Sequence, residues 1–520
     1  MSLDQIVQDL IHSFQNGKVV LFCGAGISAS SGLPMAGGFM ESIFNELGVS
    51  ELERKLIYNA TLPFESFISI LQENSRIDNL LEIFNQGEPT LQHKFIAELM
   101  VAGKVRIVVT TNFDGLIEKA LEYKELKEGK DFHVYYQEKD FNAIDWEMDK
   151  PTIIKIHGSV HDPDSMAITM QLVAGKRYSE PRSQIINHVF SSGNHEYVLI
   201  TGYSCSDFFD ISPYIEMIQE KQKKVVLVDH KPLDSSVENI DWQLEKNPFK
   251  KFHNSYRIKY HTETLVKELW SAISKMPEIN GGVKGNISWQ ENIHGWHSTF
   301  VSKASEQLII GRILMDIDEY KEASQHFRMA TDAARTDGDR KRESFSLSLL
   351  GNITDSVEDL NQALSIAIEI NDRNLQANCF CSLIPAYLGT RQVNKAIECG
   401  NAGLEIAEAI GDKSREARLH GNLGGVYGGI GKLDIAIAHL TKGYLISQEI
   451  GDKAEEGRAL LNIAAAYDNR IWDSRAEENY KKSREVFLPY LGEDHRVIRE
   501  IDNRLARLAR KPRIINFSDL

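Results

Sequence analysis

Over the first half of the chain, short and almost uninterrupted apolar runs alternate with longer amphipathic stretches. The runs are Val19–Cys23, Val105–Val109, Thr152–Ile156, Tyr197–Ile200 and Val225–Val228, each four or five residues long and rich in β-branched and aliphatic side chains. A run apolar on both faces suits a strand in the middle of a parallel sheet, where helices cover both sides. Between the runs, Glu41–Asn59, His93–Val101 and Gly115–Tyr123 have helical periodicity. The alternation predicts a doubly wound α/β domain with a parallel sheet and right-handed crossovers over residues 1–275. The wide gap at about residues 39–100 reads as a helical insertion packed over the sheet's edge.

Beyond Ile279 the pattern changes. Pro277-Glu278-Ile279-Asn280-Gly281-Gly282 concentrates turn formers and reads as a linker, residues 276–299. Asn371-Asp372-Arg373, Gly411-Asp412-Lys413 and Gly451-Asp452-Lys453 then recur every 40 residues, each after an isoleucine. Tyr387, Tyr427 and Tyr467 keep that spacing, as do Ala396, Ala436 and Ala476, while Gly338-Asp339 and Gly492-Glu493 extend the pattern more loosely. Each unit reads as two amphipathic helices: Gly or Asn ends one helix, Asp caps the next, and the small residues let neighbours approach closely. This resembles the tetratricopeptide repeat family and predicts an all-α helical-repeat solenoid over residues 300–512, with a tail at 513–520.

Composition narrows the class. The 520 residues would fill about three average domains. Apolar residues make up 42% and charged residues 26%, ordinary globular usage. No stretch approaches the ~18 apolar residues of a membrane helix, and Met1-Ser2-Leu3-Asp4-Gln5 is not the start of a secretory signal. A cytoplasmic protein without a membrane contact is expected. The cysteines Cys23, Cys205, Cys379, Cys381 and Cys399 form no C-x-x-C pair, so neither a disulfide framework nor a thiolate metal site is indicated. A net charge of −15 argues against general attraction to nucleic acid. The cluster Arg504, Arg507, Arg510, Lys511 and Arg513 reads as a solvated helix end.

Candidate chemistry gathers at the ends of the apolar runs. Gly24-Ala25-Gly26-Ile27-Ser28 follows the first run, Thr110-Thr111-Asn112-Phe113-Asp114 the second, His157-Gly158 the third, Thr201-Gly202-Tyr203-Ser204 the fourth and Asp229-His230 the fifth. In open α/β sheets, ligands bind outside the carboxyl ends of strands, so these segments should converge. The two glycines would let backbone turn tightly and approach a pyrophosphate, and Asp229 is placed to reach an adenosine ribose. Plainer roles stay open for each: Asn112 or Asp114 as a cap for the helix that follows, His157 as a satisfied core histidine. His157 and His161 have metal-ligand spacing, but Gly158 and Pro163 discourage the helix it needs, so no metal site is expected.

The order Gly-Ala-Gly-Ile-Ser with Gly32-Leu33-Pro34, Thr-Asn-x-Asp, His-Gly and Gly-x-Ser resembles the sirtuin NAD-binding domain across about residues 5–270. The resemblance implies phosphate contacts from Gly24, Ala25, Gly26 and Ser28. It puts Asn112 and Asp114 around the nicotinamide ribose and makes His157 catalytic, with Gly202 and Ser204 on a later phosphate and ribose loop. Departures are equally informative. Met35-Ala36-Gly37 stands where protein-deacylating sirtuins have Asp-Phe-Arg, and Thr111 replaces a glutamine. Residues 159–196 also lack the four cysteines of the zinc module of those enzymes. The chain is in this respect similar to sirtuin-like NAD hydrolases of bacterial immune systems, which join such a domain to a sensor and deplete NAD on infection.

That resemblance implies an NAD+ glycohydrolase with NAD as substrate and no zinc. The nicotinamide–ribose bond breaks with a neutral leaving group, so the site has mainly to hold the pyrophosphate, accommodate an oxocarbenium-like ribose and place a water. Asn112 would position that water or a ribose hydroxyl, and His157 would accept its proton, since an ordinary histidine with a pKa of ~6.5 is mostly neutral near pH 7. The repeats would gate the activity through a homo-oligomer, or by recognising a protein trigger such as a phage protein or a partner subunit. Two rivals remain: an NAD-dependent protein deacylase, disfavoured by the absent zinc cysteines, and a non-catalytic scaffold that binds NAD or ADP-ribose as a signal.

Overall fold

The structure, a computed structural model, describes residues 2–60, 62–147, 149–174, 178–204, 211–219, 222–230, 236–239, 248–250, 252, 255–273, 289–469, 473–491 and 495–510. It divides into two compact units, with the boundary between Phe300 and Val301.

The first unit is built on an eight-stranded sheet in the order β3-β4-β2-β1-β5-β6-β8-β7. The strands are β1 (Val19–Cys23), β2 (Ile107–Thr110), β3 (His133–Tyr135), β4 (Thr152–Lys155), β5 (Tyr197–Thr201), β6 (Lys224–His230), β7 (Ser236–Asn239) and β8 (Tyr256–Tyr260). Pairings are parallel except β7 with β8. The five runs read from the sequence form the centre of this sheet. The other three strands lie at its margins, where one-sided burial removes the continuous apolar signal: Tyr-Arg-Ile-Lys-Tyr in β8 buries only Ile258.

One sheet face carries α1 (Leu3–Gln15), α6 (Leu91–Val101), α7 (Leu116–Glu122) and the helix Thr262–Ile273. Leu10, Phe14, Phe95, Leu99, Leu121, Leu265 and Trp270 pack there on Leu21, Val108, Ile153, Leu199 and Val226. The opposite face meets an aromatic cluster in which Phe22 touches Phe190 and Tyr203.

Three expectations are corrected. The helix expected at Glu41–Asn59 is broken at Gly48, whose φ of 69° ends α2 (Ala36–Leu47) before α3 (Glu51–Ala60) begins; glycine, without a Cβ, adopts that left-handed turn at no steric cost. The insertion consists of α2, α3, α4 (Phe64–Asn74) and α5 (Asp78–Leu81). By contrast α6, read as its end, is a crossover helix packed in the main core. The linker expected at 276–299 falls partly outside the described residues, but Trp289–Phe300 is helical. Trp296 there is 1% exposed and its indole N–H donates to the Arg76 carbonyl at 2.8 Å. A buried tryptophan with its N–H satisfied is core, not connector.

The second unit is the expected tetratricopeptide-like helical repeat. Its capping turns match the sequence reading. Gly338, Gly411 and Gly451 end helices at φ of 71°, 71° and 68°, and Asn371 takes the same place at 54°. The following carboxylates of Asp339, Asp372, Asp412 and Asp452 accept from the backbone N–H groups of Arg342, Leu375, Arg415 and Glu455 at 2.9–3.0 Å. Ala396, Ala436 and Ala476 are fully buried. Cys379 and Cys381 pack into separate clusters, as their two-residue spacing on a helix requires. The tail 513–520 lies outside the described residues. Among those described, no helix is long and apolar enough to cross a membrane.

Candidate functional site

Strand register brings the chemistry to one edge. Cys23 pairs with Thr110 and Thr201, Thr110 with Lys155, and Thr201 with Val228. Four strands therefore end level, and the segments beginning at Gly24, Thr111, Ile156 and Gly202 leave the sheet side by side, while β6 runs on past this edge to His230.

The glycines serve first to fit two of these corners together. Gly24 and Gly26 donate their N–H groups to the Thr201 and Gly202 carbonyls at 3.0 and 2.8 Å. A Cβ on Gly24 would lie 2.7 Å from the Gly202 oxygen, and one on Gly202, at φ +67°, would lie 2.5 Å from the Ile27 nitrogen. Two of the loop N–H groups expected to meet a pyrophosphate are thus already engaged by the second corner. Ala25 is exposed at the tip, and Ser204 is exposed on the other loop.

Asn112, 5% exposed, sits at the centre of a buried polar network. Its Nδ2 donates to Ser28 Oγ at 3.0 Å and to Asp114 Oδ2 at 3.2 Å. Ser28 Oγ donates to the same Asp114 oxygen at 2.8 Å, so its hydrogen goes to a carboxylate and not to the phosphate contact the sequence suggested. Asp114 Oδ1 accepts the Leu116 N–H at 3.1 Å, so this residue also has the capping role left open. Among the described residues, Asn112 Oδ1 is buried and accepts no hydrogen bond. Thr111 is half-buried, with its N–H on the Cys23 carbonyl at 3.0 Å.

Sequence reasoning missed four members of this site. His93, on α6 and fully buried, has Nε2 3.2 Å from Ser28 Oγ. Burial holds its pKa down at about 4, against an opposing pull from Asp114. Its signal was Thr90-x-x-His93 at a helix start, a capping pattern: the Thr90 hydroxyl and backbone N–H both meet His93 Nδ1, at 2.9 and 3.0 Å. Lys155 and Glu118 form a buried ion pair at 2.8 Å, and the same ammonium donates to the Asp114 carbonyl at 2.6 Å. A lysine ending an otherwise apolar strand was the available clue. Breaking such a pair typically costs about 3–5 kcal/mol, and here it would release the loop that carries Asn112.

His157, 4% exposed, rises from the neighbouring corner. Its ring centroid is 6.0 Å from that of Phe113. The Val160 N–H donates to the Phe113 carbonyl at 3.0 Å, joining the two corners. Buried Arg182 donates to the Ile156 carbonyl at 3.2 Å. Glu65, the fourth missed residue, comes from α4 in the insertion and brings Oε1 to 4.0 Å from His157 Nδ1. Asp229, expected just beyond the fifth strand, lies within β6 opposite Lys259, and Arg257 engages its carboxylate, so it is not an open ribose acceptor. Among the described residues, no three His, Cys, Asp or Glu side chains gather as a metal site.

Residues 106–261 match the model of the SIR2-like domain. NAD(+) hydrolase ThsA of Acinetobacter baumannii (strain 532279) is 28% identical over 173 residues, 32% of this chain and 32% of that one. Defense-associated sirtuin 2 of Bacillus subtilis is 28% identical over 156 residues, 30% of this chain and 14% of that one. Among solved structures, a Rap protein complexed with competence and sporulation factor covers 43% of this chain and 70% of its own at a TM-score of 0.35 and 14% identity. The chain thus spans less than a third of the length of each of these two curated relatives. The level strand ends, the Asn112 network and the matched segment belong to the same sheet: this chain carries a SIR2-like domain, followed in sequence by a tetratricopeptide-like helical repeat.

Proposed function

We propose that this protein is an NAD+ glycohydrolase that releases nicotinamide and ADP-ribose, and that it acts in antiphage defence by depleting NAD. The observation that carries the reading is the Asn112 amide. It is held through Nδ2 by Ser28 and Asp114 while Oδ1 accepts no hydrogen bond among the described residues, on the corner next to His157. A buried carbonyl oxygen without a donor costs about 1–3 kcal/mol, a cost removed when a water or ribose hydroxyl donates to it.

The chemistry follows from these groups. As the N-glycosidic bond lengthens, positive charge builds on the ribose, and the carboxylates of Asp114 and Glu65 supply fixed negative charge to this side of the sheet. Asn112 Oδ1 orients the attacking water or the neighbouring hydroxyl. His157 takes the proton released as water adds, with Glu65 favouring the imidazolium that forms. The names of the relatives, an NAD(+) hydrolase and a defense-associated sirtuin, support the same direction.

The repeat unit is proposed to gate this activity in the cytoplasm, within a homo-oligomer or by binding a protein trigger. Purified protein incubated with NAD+ and followed by chromatography should release nicotinamide and ADP-ribose without added acyl-lysine peptide. A requirement for the peptide would mean deacylation. Binding without turnover, with and without lysate from infected cells, would mean a signalling scaffold.

A further inference from the structure

The helix Trp289–Phe300 lies outside the matched SIR2-like segment, and only Val301 and Ser302 separate it from the first repeat helix, Lys303–Asp316. Its own sequence does little to hold it. At 12 residues it is marginal as a helix alone in water. A Cβ on Gly295 in its interior would meet nothing within 4 Å, so packing does not require that glycine, which weakens the helix. Of its side chains only Ile293 and Trp296 are buried.

This weak helix nevertheless grips two helices of the insertion. Trp296 donates its indole N–H to the Arg76 carbonyl at 2.8 Å, two residues beyond the end of α4, and the Arg76 guanidinium lies over the Phe300 ring at 5.7 Å. On α2, Glu46 Oε2 accepts from His294 Nδ1 at 3.0 Å and lies 3.8 Å from His297 Nδ1. The pairs Phe39–Phe64 and Phe44–Phe67, with ring centroids 6.0 and 5.5 Å apart, tie α2 to α4. Glu65 stands in the first turn of the 11-residue α4, with Oε1 4.0 Å from His157 Nδ1. A short helix moves as a rod, so what holds its far end sets that distance.

We infer that Trp296 is a positioning residue for hydrolysis: by fixing the end of α4 it keeps Glu65 against His157. The inference rests on the hydrolase reading for the chemistry of Glu65 and His157, but not for the anchoring itself. A shift of about 1 Å in the carboxylate weakens its help to the imidazolium formed during reaction, so the loss falls on kcat.

In the full-length protein, Trp296→Ala should lower kcat for nicotinamide release about tenfold, as Glu65→Gln does, and change KM by less than about threefold. Trp296→Phe keeps a ring but has no N–H for the Arg76 carbonyl, and should lower kcat about threefold. Added to Glu65→Gln, either change should lower kcat by less than about twofold further, because Trp296 acts through that carboxylate. Losses that multiply in the double variant overturn the inference, as does unchanged kcat in Trp296→Ala. Hydrogen exchange reads the anchoring without turnover: Trp296→Ala should speed exchange in Phe64–Asn74 and leave Val19–Cys23 and Ile107–Thr110 as they were. Unchanged exchange in Phe64–Asn74, or equal acceleration in the two strands, overturns it. Should Trp296→Ala fail to fold, Trp296→Phe decides by the same comparisons. If the unaltered protein releases no nicotinamide, the hydrolase reading fails and exchange alone decides the anchoring.

Discussion

The two units use buried polar groups in opposite ways. At the sheet edge, Ser28 meets Asp114, Asn112 and His93 across sequence separations of 86, 84 and 65 residues. In the repeats, each capping aspartate accepts from a residue three positions on. The first arrangement exists only when several strands have paired in register, so its members are coupled and a change in one disturbs all. In the second, each turn is complete in itself, and losses should stay within a repeat and its neighbours. Coupling suits a site that must hold one geometry, and local repetition suits a scaffold that tolerates variation.

The largest expected effect is on the coupled side. Asn112→Ala and His157→Ala should each cut nicotinamide release about 100-fold or more, measured as initial rates. If the double variant is no worse than the worse single one, the two act as a unit; rates at the level of the unaltered protein would remove both from the mechanism.

Next come two glycines of the same conformation in different surroundings. Gly202→Ala combines a positive φ with a Cβ 2.5 Å from the Ile27 nitrogen, and should cost about 3 kcal/mol or more and abolish activity. Gly411→Ala has φ +71° but no neighbour within 4 Å, and should cost about 1 kcal/mol. Thermal or urea unfolding of the pair reads this contrast directly. Equal losses would erase it.

Acid should weaken both units through buried histidines. His93 and His195 in the first and His420 in the second are held at about 4 by burial, against an ordinary value of 6.5. Between those limits the unfolded chain takes up protons that the folded one refuses. Stability is therefore full above about pH 6.5 and falls as pH drops toward about 4. Melting temperatures from pH 7.5 to pH 5 should decline by a smaller amount in His420→Asn if that site contributes, and by the same amount if it does not.

Smaller still, Glu65→Gln should lower kcat by about tenfold and leave melting unchanged, because the carboxylate faces His157 from a partly exposed helix. Asp412→Ala should cost about 1 kcal/mol through its lost cap, with nicotinamide release per folded molecule unaltered.

Much of this was readable from the amino-acid order, and the exceptions have a common cause. Val19–Cys23 and Tyr197–Ile200 announced themselves because strands covered on both faces are apolar at every position. The repeat turns did so because Gly-Asp pairs act within a few residues of themselves. The marginal strand Tyr256–Tyr260 and the buried Trp296 gave no comparable signal, since one-sided or late-packing segments look polar or isolated in one dimension.

At the site, the residue order alone determined which side chains leave the strand ends: Asn112, Asp114, His157 and the glycines of two corners. Only the tertiary structure decided what they do to one another. It committed Ser28 to Asp114, gave Asp229 to Arg257, and brought in His93, Lys155 and Glu65. The physical reason is that hydrogen-bond direction and ion pairing depend on distances of a few ångströms between segments far apart along the chain. Strand register and helix packing set those distances, and no local pattern of residues encodes them.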